Sequence, residues 1–217
     1  MAAPGGGWDR ELVASAFDVS HETLERLTIY VELLEKWQRS INLVGPKTIG
    51  EAWGRHIADS LQLVTLAPKT TKIWMDLGSG AGLPGLIVAV AMRDVSGFEM
   101  HLVEANAKKC AFLQVAARAM GIEVVIHNQR IEVLAEDDLH PWADVISARA
   151  LAPLPMLLEL AKPFMWKNTV CLFHKGQDVE SELTATAIYR TMKVVQAPSM
   201  VDGVGTILRI EGANCEQ

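Results

Sequence analysis

The chain has 217 residues, of which 50% are hydrophobic and 21% are charged, a balance that excludes an intrinsically disordered protein. Its formal net charge of −6 argues against a protein that coats nucleic acid through bulk charge, but it leaves room for a local basic surface. The sequence shows neither a secretory signal nor an apolar run near the roughly 20 residues that span a bilayer. Its three cysteines and six histidines match no disulfide framework and no metal-binding spacing. We therefore expect a cytoplasmic protein without a metal site.

The first third of the chain predicts helices. Ser20 is a good N-cap for a long helix, because acidic residues follow it where the helix dipole favours them. A turn at Gly45-Pro46 separates this helix from a second one, which ends before Pro68. The apolar residues that recur at helical spacing are Leu24, Leu27, Val31, Leu34 and Ile41 in the first helix and Ile57, Leu61 and Val64 in the second.

From Lys72 onward, short strands alternate with helices, which predicts a parallel sheet with helices on both faces. The predicted strands are Ile73–Leu77, Met100–Val103, Val124–His127, Asp144–Ser147, Val170–Phe173, Lys193–Gln196 and Thr206–Ile210. The predicted helices between them are Leu86–Arg93, Ala107–Met120 and Leu154–Phe164. Too few residues separate the last two strands for a crossover helix, so these strands should be antiparallel. We expect a helical extension over residues 1–70 and an α/β domain over residues 71–217.

A glycine-rich segment follows the first predicted strand. Asp76–Gly85 reads DLGSGAGLPG, and its three alternating glycines let the backbone turn tightly and approach a ligand closely. Pro84 suits the first position of the next helix. In an open α/β sheet, this strand-to-helix turn lies at the carboxyl end of the strands, where ligands bind.

Two ligands fit this loop. The spacing from Asp76 is that of an S-adenosylmethionine site, whereas Gly80–Gly85 matches the GxGxxG pattern of dinucleotide-binding loops. Glu104, at the end of the next strand, serves either ligand because both carry a ribose diol. The Asp76 carboxylate could meet a cationic methionine moiety but would repel a pyrophosphate, and an antiparallel ending is typical of S-adenosylmethionine-dependent methyltransferases. These features favour S-adenosylmethionine as the cofactor.

A more specific resemblance comes from motifs in chain order over roughly residues 30 to 185. They are Asn42-Leu43, Arg55–Ser60, Asp76–Gly85, Val103–Asn106, Lys108–Leu113, Arg130–Glu132, Ser147–Leu154 and Lys175–Gln177. With these motifs the chain resembles the small-subunit ribosomal RNA guanine-N7 methyltransferases, also called glucose-inhibited division protein B. It departs from the family pattern at Leu83, where many relatives have phenylalanine, and at His174, which replaces a more usual apolar residue.

The resemblance implies a class I S-adenosylmethionine-dependent methyltransferase fold, Rossmann-like, with a mostly parallel seven-stranded sheet and a C-terminal antiparallel hairpin. It implies transfer of a methyl group to N7 of a guanine in 16S rRNA. It places Gly78 and Leu83 beside the cofactor, Ile131 and Glu132 at its adenine end, and Arg149 where it closes the site. The full set of predicted cofactor-binding residues is Asp76, Gly78, Ser79, Gly80, Gly82, Leu83, Glu104, Ala105, Ile131, Glu132 and Arg149.

Methylation at N7 makes modest chemical demands on the protein. Guanine N7 is a lone-pair acceptor that carries no proton at neutral pH, so its attack on a sulfonium methyl needs no general base. Positioning and electrostatic preorganisation are then the main sources of catalysis. The fourth strand ends in Ser147–Pro155, which is neither the Asn/Asp-Pro-Pro-aromatic motif of amino-group methylases nor the cysteine motif of pyrimidine C5 methylases. Cys110 and Cys171 are expected in the core.

Several side chains are candidates for contact with the substrate. Arg149, at the end of the fourth strand, could fork onto guanine O6, a phosphate or the cofactor, with a surface salt bridge as the alternative. His56 could line the active site or contact RNA, and it could equally be structural. Lys175 could bind a phosphate or be a solvated loop lysine. Arg55 could contact RNA, although Asp59 stands four residues later, at the spacing of a helix ion pair.

A basic face on an acidic protein would be the RNA footprint. The predicted RNA-binding residues are Lys36, Arg39, Lys47, Arg55 and Lys175, with Lys108, Lys109 and Arg118 on a neighbouring helix. We expect 16S rRNA or the small ribosomal subunit as the partner and a monomer as the oligomeric state. A methyltransferase for small molecules or proteins on the same fold, a nucleotide-binding regulator and a dehydrogenase remain as alternatives.

Overall fold

The computed structural model describes residues 7–46, 48–137, 141–176, 179–185, 192–201 and 205–212, and the strands within them form a single sheet. These strands are β1 Ile73–Leu77, β2 Glu99–Val103, β3 Val125–His127, β4 Ala143–Arg149, β5 Met165–Lys175, β6 Lys193–Pro198 and β7 Thr206–Glu211. Their order is β3-β2-β1-β4-β5-β7-β6, in which β1 to β5 are parallel and β6 and β7 antiparallel. The predicted seven-stranded sheet with an antiparallel ending is confirmed.

Helices cover both faces of this sheet. They are α1 Arg10–Phe17, α2 His21–Gln38, α3 Asp59–Leu66, α4 Gly85–Met92, α5 Ala107–Met120, α6 Ile131–Leu134, α7 Leu154–Ala161 and α8 Val179–Ala185. The bounds of α5 are those predicted, because Asn106 caps its first turn and Gly121 ends it with a left-handed φ of +61°. The sequence analysis did not predict α1, α6 or α8.

The long helix α2 begins as predicted and ends earlier. The Ser20 hydroxyl accepts a hydrogen bond from the Thr23 backbone N–H at 3.1 Å, which is the expected N-cap. At the other end, Gln38 Oε1 accepts the backbone N–H groups of Leu43 and Val44 at 2.9 and 3.0 Å, which turns the chain away from the helix axis. The prediction that Ile41 belongs to this helix is therefore wrong, although its side chain still packs against the core.

The second predicted helix is a composite. A 3₁₀ turn over Ile49–Glu51 leads into a π-helical segment over Ala52–Ala58, which continues into α3. Ile57 and Leu61 are buried as predicted. The wider π segment changes which side chains face inward, and such segments are often found at functional sites.

Two hydrophobic clusters fill the space on either side of the sheet. One joins α1, α2 and α3 to α4, α5 and one face of the sheet, with Phe112 at ring-centroid distances of 6.2 Å from Tyr30 and 5.7 Å from Trp37. The other joins α6, α7 and α8 to the opposite face. Because the N-terminal helices share a core with α4 and α5, they are tied directly to the glycine-rich loop that precedes α4.

None of the helices in the described ranges is long and apolar enough to cross a bilayer. The same residues contain no group of three or more side chains placed to hold a metal ion. Cys110 and Cys171 are buried, as expected of core residues, whereas Cys215 lies outside the described residues.

Candidate active site

The glycine-rich loop joins β1 to α4 at the carboxyl edge of the sheet. Gly78, Gly80 and Gly82 have φ angles of +67°, +56° and +79°, a region that residues with a Cβ rarely adopt. A Cβ added at Gly82 would lie 2.4 Å from the Leu86 side chain, and one at Gly78 would lie 2.7 Å from Leu151. The loop therefore needs glycine both for its backbone angles and for its close packing.

Glu104, at the end of β2, holds this loop in place. Its carboxylate oxygen Oε2 accepts the Gly80 backbone N–H at 2.9 Å, and Oε1 accepts the Asn106 backbone N–H at 2.7 Å. The Ser79 backbone N–H donates to the Val103 carbonyl at 3.0 Å, which adds a second link between the loop and β2. Each carboxylate oxygen can accept a further hydrogen bond, so Glu104 can also bind a ribose diol.

Asp76 supports the loop from beneath. Its side chain is fully buried, with Oδ1 accepting the Ser147 hydroxyl at 2.6 Å and Oδ2 facing the Gly85 backbone N–H at 3.3 Å. Burial raises the pKa of this carboxyl to about 6, although the hydrogen bonds by themselves lower it. Asp76 therefore lies under the loop and positions it, and the predicted contact of its carboxylate with the methionine moiety stays a prediction.

Tyr30 is a link to the loop that the sequence analysis missed. This α2 side chain is buried and donates its hydroxyl proton to the Ala81 carbonyl at 2.8 Å. Burial raises the pKa of the phenol, which keeps it protonated as a donor. No local pattern distinguishes Tyr30 from other apolar stripe residues, because its partner is 51 positions away along the chain.

A cavity of about 410 Å³ lies on the β2 side of the loop. Its lining includes the carboxylates of Glu104 and Glu132 and the apolar residues Ala105 and Ile131. This size and mixture of a few polar groups with apolar side chains are typical of a cofactor site. The predicted residues of the ribose and adenine ends therefore line one common space.

A second cavity of about 440 Å³ lies on the other side of the loop. His56 from the π segment, Arg149 from the end of β4 and Lys109 from α5 line it together with loop residues. The two cavities share a wall made of Gly78, Lys109 and Ala150. The structure therefore joins the predicted cofactor residues to Arg149 and His56 across Gly78.

His56 is neutral in this setting. It is 4% exposed, and its Nε2 lies 3.2 Å from Thr48 Oγ1. Burial, together with the positive charge of Arg149, lowers its pKa to about 4. A histidine with this pKa is a weak base at neutral pH but can still form a hydrogen bond.

Arg149 faces a carboxylate at the start of α3. Its guanidinium lies 3.9 Å from the Asp59 carboxylate at the start of α3, and only 23% of its side chain is exposed. Asp59 Oδ1 in turn accepts the Ser199 hydroxyl at 2.6 Å. This arrangement fixes a positive charge at the wall of the larger cavity, beside the neutral His56.

Comparison with known proteins identifies the family. The family model described as GidB, rRNA small subunit methyltransferase G, matches residues 23–207. Ribosomal RNA small subunit methyltransferase G of Methylorubrum populi is 47% identical over 93% of this chain and 94% of its own. Its counterpart in Parvibaculum lavamentivorans is 44% identical over 94% of this chain and 89% of its own. This chain belongs to the GidB family.

Solved structures agree on the fold. The O-methyltransferase TomG from Streptomyces achromogenes, determined in complex with SAM, covers 87% of this chain and 90% of its own with a TM-score of 0.59. A ribosomal protein L11 methylase from Lactobacillus delbrueckii covers 70% of this chain and 76% of its own with a TM-score of 0.53. At 13% and 16% identity they show the fold alone. Together with GidB membership, they confirm a SAM-dependent rRNA methyltransferase.

The described residues of this GidB chain include most of the basic residues that were predicted to bind RNA. Lys36 and Arg39 are exposed at the end of α2 and just beyond it, whereas Lys47 lies outside the described residues. Arg55 is half-exposed with its Nε 2.7 Å from Glu51, four residues earlier. Asp59, which stands four residues after Arg55, accepts the Ser199 hydroxyl and faces Arg149.

Lys175 lies in a place that the sequence analysis did not predict. Only 8% of its side chain is exposed, and its Nζ lies 2.6 Å from Glu182 of α8 and 3.2 Å from the Ala152 carbonyl. Glu182 also accepts the Leu154 backbone N–H at 2.6 Å, so this pair ties β5 to the start of α7. The structure therefore shows Lys175 in a structural ion pair, and its predicted contact with RNA or substrate stays a prediction.

This position of Lys175 gives a prediction about stability. We expect Lys175→Met to lower the free energy of unfolding by about 2 kcal/mol, because Glu182 is left as a partly buried carboxylate without its cation. Affinity for small-subunit rRNA should not change. Urea unfolding and an RNA-binding titration measure the two quantities. The double variant Lys175→Met/Glu182→Gln should recover part of the lost stability, and an RNA-binding defect in Lys175→Met would support the predicted contact with RNA.

His174, which departs from the family pattern, is partly buried and contacts the start of α3. Its Nε2 donates to the Asp59 backbone carbonyl at 3.1 Å. Burial and the charge of Arg149 lower its pKa to about 3. The unfolded chain therefore binds a proton below about pH 6.5 that the folded chain does not, so stability falls as the pH is lowered through this value.

Replacement of His174 should weaken this acid sensitivity. We expect His174→Leu to reduce the loss of unfolding free energy between about pH 7 and about pH 4.5 by about 2 kcal/mol, since roughly two pH units of proton linkage are removed. His56 acts in the same direction and keeps part of the effect. Urea unfolding at both pH values measures it, with His21→Leu on the exposed start of α2 as the control. An unchanged pH dependence would show that His174 takes up its proton without unfolding.

Proposed function

We propose that this GidB chain transfers a methyl group from S-adenosylmethionine to N7 of one guanine in 16S rRNA, as a cytoplasmic monomer. Residues 1–70 would act as a helical extension of a methyltransferase domain over residues 71–217. The observation that carries the choice of N7 is the make-up of the larger cavity. None of its described lining residues is aspartate or glutamate, and its histidine is too weakly basic to take a proton at neutral pH. Such a cavity suits an acceptor atom that has no proton to lose.

The smaller cavity supports the proposed cofactor residues. Glu104 would bind the ribose diol, and Ile131 and Glu132 would lie at the adenine end. Gly78 presents bare backbone between the two cavities, where a Cβ would already collide with Leu151. When bound, S-adenosylmethionine supplies an electrophilic methyl group on a sulfonium. Asp76 acts indirectly, by fixing the loop through the Ser147 hydroxyl and the Gly85 backbone.

The larger cavity supports the proposed substrate residues. Arg149 would donate to guanine O6, the acceptor next to N7, and leave the N7 lone pair available. His56, as a neutral ring, would donate or accept one hydrogen bond with the base. Because its side chain is buried, this hydrogen bond would fix the orientation of the base plane. Lys109, which lines both cavities, would place a further positive charge beside the RNA backbone. Catalysis would then come from orientation of the base, with no proton transfer.

A methyl-transfer assay tests this function. The full chain is incubated with labelled S-adenosylmethionine and either unmodified small-subunit particles or naked 16S rRNA. The RNA is then reduced with borohydride and cleaved with aniline, which breaks the chain at N7-methylguanosine. One discrete cleavage is the expected result, and label without cleavage would keep the RNA substrate but reject N7. Sedimentation of the free protein tests the monomer.

A further inference from the structure

The edge of the sheet opposite the two cavities carries a pair of tryptophans in contact with each other. Trp142 directly precedes β4, and Trp166 is the second residue of β5, so both lie at the amino ends of parallel strands. Their ring centroids are 5.5 Å apart, with the planes at 56°. They are 42% and 56% exposed, which is unusual for a side chain that is mostly buried in folded proteins. Exposed tryptophan is enriched where proteins recognise partners.

A basic groove of about 560 Å³ lies nearby, and its lining begins at Lys167, the residue that follows Trp166. Lys167, Lys193 and Arg209 line it, together with a single carboxylate from Glu211. Glu211 pairs with Lys193 at 3.2 Å and also with Arg209, so one anion is shared by two cations. Lys167 is exposed and takes part in none of the ion pairs found among the described residues. Three cations against one carboxylate leave the groove positive on a protein whose net charge is −6.

A bulge in β5 joins the tryptophans to the groove. Met165 pairs with Ala143 and Val170 pairs with Val145, so four residues of β5 stand opposite one residue of β4. The Trp166 backbone N–H donates to Thr169 Oγ1 at 2.6 Å, and the Thr169 hydroxyl donates to the Ala143 carbonyl at 2.6 Å. These bonds fix Trp166 against Trp142 while Lys167 faces the groove.

We propose that this edge, formed by Trp142, Trp166, Lys167, Lys193 and Arg209, binds a single-stranded stretch of RNA at a distance from the guanine that is methylated. An unpaired base would stack on Trp166, and phosphates would lie along the groove. An aromatic platform beside a positive groove is the usual construction for single-stranded nucleic acid. Tryptophan and arginine are common at both kinds of interface, but lysine is depleted from protein interfaces, so the two lysines and the positive charge of the groove favour RNA over a protein partner. This inference rests on the proposed function and deepens it, because the single-stranded stretch would belong to the same 16S rRNA that is methylated.

Binding of a guanine-free probe tests this surface separately from the active site. The probe is a fluorescein-labelled single-stranded RNA of about ten nucleotides without guanine, titrated with the full chain in the absence of S-adenosylmethionine. We expect Trp166→Ala to weaken binding about tenfold. Lys167→Gln should reduce the slope of log affinity against log salt concentration by about one. Arg10→Gln, which removes the same charge from α1, is the matched control, and urea unfolding checks that every variant is folded.

The outcomes separate this inference from the proposed function. Equal probe affinity in wild type, Trp166→Ala and Lys167→Gln would overturn the inference, even if particles are methylated at N7. Binding that depends on Trp166 would uphold it, even if no N7 methylation were found. Sedimentation that shows a dimer dissociated by Trp166→Ala, with no effect on RNA, would assign the surface to a second copy of the chain and reject RNA.

Discussion

Gly82→Ala is expected to abolish cofactor binding and to destabilise the fold. The new Cβ would lie 2.4 Å from the Leu86 side chain and 3.0 Å from Leu113, and both leucines are fully buried. The residue would also be forced to keep a φ of +79° with a Cβ present. Backbone strain of about 1–2 kcal/mol and overpacking of about 1–3 kcal/mol then add at one position. The added Cβ must therefore displace the loop, because the two buried leucines have no free space to move into.

Gly80→Ala is the matched control for this prediction. Gly80 has a similar φ of +56°, but the nearest atom to its added Cβ is the Gly78 carbonyl oxygen at 3.7 Å. Only the backbone strain remains, so the free energy of unfolding should fall by about 1 kcal/mol. Urea unfolding and calorimetric titration with S-adenosylmethionine compare the two variants. Equal losses of stability would mean that the packing around Leu86 adjusts freely and that the loop needs glycine only for its backbone angles.

The elements that the sequence predicts well are those whose signals are local. The bounds of β1 follow from an apolar run that ends at a glycine loop, and those of α5 follow from Asn106 and Gly121. The antiparallel ending follows from the short distance between β6 and β7 along the chain. In each case the deciding residues lie within a few positions of the element.

The missed features depend on contacts between distant residues. The end of α2 is set by a Gln38 side chain that folds back onto Val44, an arrangement that competes with helical propensity and leaves no periodic signal. The π segment is likewise invisible, because its apolar residues fit an ordinary helix almost as well. These local deviations matter because they place His56 at the larger cavity.

The site residues also divide into those with a local sequence signal and those whose role depends on contacts with distant residues. Gly78 and Glu104 could be predicted because the loop and the next strand carry them at fixed spacing. Lys175 could not, because its burial depends on Glu182 in a helix that the pattern does not show. Asp76 meets Ser147 at 71 positions along the chain, and His174 meets Asp59 at 115. The types of these residues indicate that they are polar and important, but only the fold decides whether they touch a ligand or support one.

Replacement of Arg149 should have the largest effect on methyl transfer. We expect Arg149→Ala to lower kcat by about 100- to 1000-fold, the range found when one preorganised donor is removed from a reacting centre. Affinity for S-adenosylmethionine should change less than about threefold, because Arg149 lines the larger cavity and not the smaller one. Single-turnover methylation of small-subunit particles gives the rate, and calorimetry gives the cofactor affinity.

Arg149→Lys separates the shape of the guanidinium from its charge. Lysine keeps the positive charge near Asp59 and His56 but loses the planar fork, so the fold should be retained while most of the rate is lost. In Arg149→Ala the missing charge should also raise the pKa values of His56 and His174, which NMR titration of the ring protons would detect. Full activity in Arg149→Lys would show that charge alone is needed. A large loss of cofactor affinity in either variant would move Arg149 to the cofactor side, and the guanine contact would then have to come from His56 or Lys109.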